Sequence, residues 1–118
     1  MGADSDKAFW EAIDALVLLS RIVIDRPKGS AHPRYPSLVY PLDYGYLSNS
    51  SSMDGGGIDV WMGTAQSRTV GAVVCTVDLR KRDSEMKVLI GCTPEEMRLV
   101  YEFHNRGEHM KGLLVKRD

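Results

Sequence analysis

The sequence predicts an α+β domain, mainly antiparallel β, in which an OB-like five-stranded barrel is flanked by two helices. Three observations lead there. Apolar residues recur at helical spacing only near the two ends of the chain. Short β-branched segments fill the middle, and clusters of Gly, Pro, Asp and Ser separate them. A chain of 118 residues with a 43% apolar fraction supplies one core, so residues 1–118 are read as a single domain.

The elements follow in order. Phe9, Trp10, Ile13, Leu16 and Val17 recur at three- and four-residue steps, which predicts a helix over 7–19. Residues 21–25 read as a short strand closed by Arg26-Pro27-Lys28-Gly29. Pro27, Pro33 and Pro36 then make 27–37 an extended loop or edge strand. Tyr40, Tyr44 and Tyr46 form an aromatic cluster in which Pro41 and Gly45 bend the chain, and residues 48–57 are a Ser/Gly loop. Ile58–Met62 is a strand with Ile58 and Val60 on one face and Asp59 and Trp61 on the other. Strands over 69–77 and 86–90 make a hairpin around the turn 78–83. Thr93-Pro94-Glu95-Glu96 has the form of a capping box, opening a helix to Asn105 that Gly107 can stop. Residues 111–116 are a final strand or extended tail.

Charge and composition narrow the function. Fifteen basic residues against sixteen acidic ones give a net charge of −1, without the basic excess of a nucleic-acid binder. No apolar run approaches a membrane span, and the acidic N-terminus with its short apolar run 15–19 does not read as a secretion signal. Cys75 and Cys92 lie in apolar segments without metal-ligand spacing, which suits small buried hydrophobes in a reducing, cytoplasmic setting.

Chemistry points to four aspartates in two five-residue steps, Asp54 with Asp59 and Asp78 with Asp83. Each pair brackets a sharp turn beside a β-branched segment. Taken singly, each aspartate is a turn residue satisfying backbone N–H groups. Side by side, two acidic turns make a self-repelling cluster of hard oxygen ligands that a divalent cation, Mg²⁺ by preference, neutralises.

These residues also carry a resemblance. Tyr40-Pro41-Leu42-Asp43-Tyr44-Gly45-Tyr46-Leu47, followed by Asp54-Gly55-Gly56-Gly57-Ile58-Asp59-Val60, resembles the YPxNYGY and DGDPxDV segments of the soluble, Mg²⁺-dependent inorganic pyrophosphatases of the β-barrel type. The spacing matches, the second acidic pair falls where that family has it, and the likeness covers about residues 22–116, as in a shortened and divergent member. It implies hydrolysis of diphosphate to two phosphates with Mg²⁺ as cofactor. It further implies Asp54, Asp59, Asp78 and Asp83 as metal ligands, Tyr44 and Asp59 as catalytic, and Arg34, Tyr44 and Arg106 as substrate-binding. Asp25 matches a glutamate near the mouth of the site.

The departures bear on activity. Gly56 stands where the family has the aspartate that helps deprotonate the attacking water. The hairpin that brings an arginine to the phosphates is missing, since Arg34-Tyr35-Pro36 runs almost directly into Tyr40-Pro41. Glu85 stands where a lysine is expected, with Lys87 two residues on. A tyrosine at the end of the second helix has no counterpart, although Arg106 offers charge there. Two alternatives therefore stand beside an impaired diphosphatase: a catalytically silent phosphate-, diphosphate- or protein-binding module, and a hydrolase of another phosphoanhydride. The missing hairpin leaves a sheet edge that a second subunit can cover, so a homo-oligomer is expected.

Overall fold

The computed structural model describes residues 3–51 and 55–118. Helix α1 (Ala3–Leu18) is followed by strands β1 (Arg21–Arg26), β2 (Asp43–Ser48), β3 (Ile58–Met62), β4 (Val70–Asp78) and β5 (Asp83–Ile90). Helix α2 (Pro94–Asn105) and strand β6 (Met110–Lys116) complete the chain. The architecture is α+β, with a mostly antiparallel, barrel-like sheet and two helices. Six strands take part where five were expected, because residues 110–116 form a full strand along β4.

The hydrogen-bonded order is β1-β2-β3-β5-β4-β6. β5 inserts between β3 and its own hairpin partner β4, so β3 and β5 run parallel while every other pair is antiparallel. β2 was hidden in the sequence by Pro41 and Gly45. Gly45 does not bend the chain; it lets β1 approach. A Cβ built there would lie 1.8 Å from the Val23 carbonyl oxygen, so only glycine fits.

The sheet buries both faces. Trp10 and Ile13 of α1 pack on Leu47, Val60, Met62, Val73, Val88 and Ile90. The opposite face carries Tyr40, Leu42, Tyr44, Trp61, Ala72, Val74 and Leu89 against Val100 of α2. Strand alternation thus sends Val60 toward α1 and Trp61 toward α2, as read from the sequence. Asp14 on α1 is gripped by Arg117, whose Nη1 and Nη2 donate to Oδ1 and Oδ2 at 3.0 and 2.9 Å. The α2 capping box forms as expected: Glu96 N donates to Thr93 Oγ1, and Thr93 N donates to Glu96 Oε1. Glu96 also takes bonds from Thr64 N and Oγ1, pinning the loop after β3 to the helix start.

One sequence expectation changes here. Cys75 is exposed, not buried, because it lies in an open groove beside α1 and not under the helix; Cys92 is half-buried. Among the described residues no helix is long and apolar enough to cross a membrane.

Candidate active site

Strand register assembles the site. Tyr46 and Asp59 are cross-strand partners in the β2–β3 pair, as are Tyr44 and Trp61. Val60 pairs with Val88 in the parallel β3–β5 ladder, which brings Asp59 level with Lys87. Alternation along β5 puts Asp83, Glu85 and Lys87 on one face, and Asp78 faces Asp83 at the turn end of the β4–β5 hairpin. One sheet face therefore carries a row of charged residues running from Asp59 to the β4–β5 turn.

Lys87 is the centre of that row. Its ammonium donates to Asp59 Oδ2 at 2.8 Å, to Glu85 Oε1 at 3.0 Å and to Tyr44 Oη at 3.0 Å. The Tyr44 hydroxyl in turn donates to Asp59 Oδ2 at 2.6 Å. An ammonium has three N–H groups, so these three acceptors use all of them. The Lys87 side chain is only 5% exposed. Burial alone would push its pKa down; Tyr44 and Asp59 outweigh that and hold it well above the ordinary lysine value. Burial raises the Tyr44 phenol far above its usual value, with the Asp59 carboxylate adding to the effect against the opposing pull of Lys87. In the sequence Lys87 stands only as a lysine two residues beyond the expected position. Its signal was position: it follows Asp83 at four residues on an alternating strand.

The second acidic pair sits at the hairpin. Asp78 Oδ1 accepts from the backbone N–H of Arg80 and Lys81 at 2.9 and 3.1 Å, which shapes the turn. Lys81 Nζ lies 4.0 Å from Asp83 Oδ2. Asp54 lies outside the described residues. Among the described residues no three His, Cys, Asp or Glu side chains come together as a metal-holding group.

A basic arm borders the row. The Arg26 guanidinium donates to the Tyr40 hydroxyl and lies 5.6 Å from the centre of that ring. The His32 ring stacks on Tyr40 with centroids 6.1 Å apart, and its Nδ1 accepts from the backbone N–H of Arg34 and Tyr35. Nε2 is thereby left as the donor. Burial, then the charges of Arg26, Arg34 and Lys81, hold His32 below the ordinary histidine value. The charges of Arg26 and Lys81 thus act on the same ring as that of the expected Arg34. Arg106 is exposed at the C-cap of α2, and no hydrogen bond or ion pair joins it to this set among the described residues.

Gly56 lies on the loop that, with Tyr46 to Ser50, lines a cleft of about 290 Å³. Tyr46, the cross-strand partner of Asp59, connects this cleft to the charged row. A larger groove of about 480 Å³ lies elsewhere, between α1 residues Phe9 and Trp10 and the sheet residues Val73, Cys75, Met86 and Val115. Its lining is mostly apolar and shares no residue with the charged row.

No protein-family model matches the sequence, and no curated protein matches it. Solved structures do match the fold. An inorganic pyrophosphatase from Neisseria gonorrhoeae superposes with a TM-score of 0.64 at 16% identity, over 80% of each chain. An inorganic pyrophosphatase from Helicobacter pylori gives 0.62 at 13% identity, over 83% of this chain and 85% of that one. An inorganic phosphatase from Anaplasma phagocytophilum gives 0.58 at 13% identity, over 80% and 82%. At these identities the likeness establishes the fold.

Proposed function

We propose that this chain is a diphosphatase-like hydrolase that holds diphosphate between the Asp59–Asp83 row and the basic arm of residues 26–34, where water splits it into two phosphates. The observation that carries this reading is the Tyr44–Asp59–Lys87 network at one end of a sheet face and the Asp78–Asp83 pair at the other, with the Arg26–Tyr40 contact packed beside Tyr44, on a fold shared with inorganic pyrophosphatases. Diphosphate is small and highly charged, so its site needs several positive groups, and guanidinium forks suit phosphate oxygens.

In this reading Tyr44 is a positioning residue, because its proton is committed to Asp59. With Oδ2 held by Tyr44 and Lys87, the carboxylate is fixed in orientation and presents Oδ1 to an attacking water. The water oxygen bonds to one phosphorus while the bridging P–O bond breaks. Asp59 Oδ1 takes the water proton and returns one to the leaving phosphate.

Mg²⁺ belongs to the same proposal. Asp78 and Asp83 face each other as hard oxygen donors, and Mg²⁺ is commonly held by one or two carboxylates together with substrate phosphates. Those two residues, with Asp54, would hold it, and when bound it supplies positive charge toward the phosphoryl oxygens. At Asp59 the fit fails, since Oδ2 is already neutralised by Lys87. A homo-oligomer is also part of the reading: β1 and β6 end the sheet order, and Leu113 and Val115 of β6 are exposed.

A second reading, a silent diphosphate-binding module, is favoured by the glycine at position 56 and by the ammonium on Asp59. Two measurements decide between them. Phosphate release from diphosphate, with and without Mg²⁺, should exceed background and be lost in Asp59→Asn. Calorimetric binding of methylenediphosphonate, which cannot be hydrolysed, should weaken about tenfold or more in Arg34→Gln. Binding without release supports the silent module, and absence of both removes both readings.

A further inference from the structure

We infer that Lys87 is the resident cation of the Asp59 site: its ammonium holds Asp59, Glu85 and Tyr44 together in place of a divalent ion, so Asp59 takes no metal in the native chain. The geometry is that of an occupied cation site. Three oxygen atoms from β2, β3 and β5 converge on one nitrogen at 2.8, 3.0 and 3.0 Å. Two of them belong to carboxylates, whose paired negative charge requires a neutralising partner in so enclosed a place. The side chains of Lys87 and Glu85 are 5% and 14% exposed and that of Asp59 is 28% exposed, so the ammonium itself is shut off from water while Asp59 keeps one partly open side.

Three features separate this role from that of a substrate-binding lysine. All three ammonium protons already have acceptors, so none is left for an anion. The head group is buried between strands, whereas Arg34 and Lys81 reach solvent. Glu85, two residues before Lys87 on the same face, turns its carboxylate to the ammonium and helps fix the head group. Asp78 and Asp83 make no bond to Lys87, and so remain the carboxylates with room for an added ion.

The inference concerns the same face of the sheet as the proposed diphosphatase reading. Its readout is the number of bound ions, which stands whether or not diphosphate is cleaved. Calorimetry with Mg²⁺, and with Mn²⁺ followed by electron paramagnetic resonance, should be run on the native chain, Lys87→Met, Asp59→Asn and the Asp59→Asn/Lys87→Met double variant. Thermal melts should accompany each. Lys87→Met should bind one more ion per chain than the native protein, and the double variant should lose that ion again. Asp59→Asn alone should leave native ion binding unchanged; this second arm holds even where Lys87→Met does not fold. A loss of about tenfold or more in ion affinity on Asp59→Asn alone overturns the inference, because Asp59 would then already be a ligand. A folded Lys87→Met with no added ion overturns it equally.

Discussion

The indole N–H of Trp61 donates to Nε2 of His104 at 3.0 Å, joining β3 to α2 across 43 positions of sequence. That bond makes Nε2 the acceptor and places the imidazole proton on Nδ1, which is buried without a partner among the described residues. A charged ring there would add a second unpaired proton and repel Lys87.

Acid should therefore destabilise the fold through His104. Burial first, and the Lys87 charge second, hold its pKa down to about 3. In the unfolded chain it titrates near 6.5. Between those values the unfolded state binds more protons, so the contribution is complete above pH 6.5 and shrinks as pH falls toward 3, by about 1.4 kcal/mol per unit. Urea melts from pH 7 to 4 should show that slope. His104→Gln, which keeps an acceptor for Trp61, should flatten it; a native profile already flat from pH 6.5 to 5 contradicts the assignment.

Glu96→Ala should cost about 1–3 kcal/mol in denaturant melts. Burial alone would raise this carboxyl, but the N–H and O–H bonds from Thr93 and Thr64 outweigh it and hold Glu96 below the usual carboxylate range. Removing it leaves the helix N-cap and the Thr64 amide without their acceptor at once. An effect below about 0.5 kcal/mol would show that water replaces those bonds.

Gly45→Ala should be among the most damaging single changes. The added methyl meets Val23 backbone oxygen and carbon, at 1.8 and 2.7 Å, and neither can rotate away. A loss of about 3 kcal/mol or more is expected, at the upper end of overpacking costs. Wild-type stability for this variant in a chemical melt would mean that β1 is not held against β2.

Gly56→Asp should raise diphosphate turnover, by up to about 10²–10⁴-fold where the supply of a proton acceptor limits the native rate. The measurement is phosphate release at saturating diphosphate and Mg²⁺. A native chain that already turns over briskly, with no gain in the variant, would mean that the existing carboxylates suffice and that the departure at position 56 is harmless.

The proposed homo-oligomer predicts a sedimentation coefficient that rises with loading concentration. Lys substitution at Leu113, an exposed β6 position, should lower the association. A single monomer species at millimolar concentration removes that element of the reading.

What the sequence made legible was local chemistry. The Thr93–Glu96 cap, the turn between Asp78 and Asp83, and the opposite faces of Val60 and Trp61 each depend on residues a few positions apart. What it concealed depends on pairings across the chain. β2 was obscured because Gly45 reads as a bend until Val23 is placed beside it. Lys87 reads as a lysine two residues out of place until the parallel β3–β5 ladder sets it against Asp59. His104 is one of three scattered histidines until Trp61 reaches it from β3. The exposure of Cys75 follows from how far α1 covers the sheet, which no local pattern states.

The grip of Arg117 on Asp14 has a consequence for the order in which the protein is made. The two residues are 103 positions apart, and the same guanidinium also donates to the Val70 carbonyl and lies over the Trp10 ring. The apolar stripe of α1 leaves the ribosome before the strands it covers and the arginine that fastens it. Until β5 is made Trp10 and Ile13 lack much of the surface they pack on, so nascent chains halted before β5 should display them to chaperones and proteases, while chains extended past Arg117 should hide them.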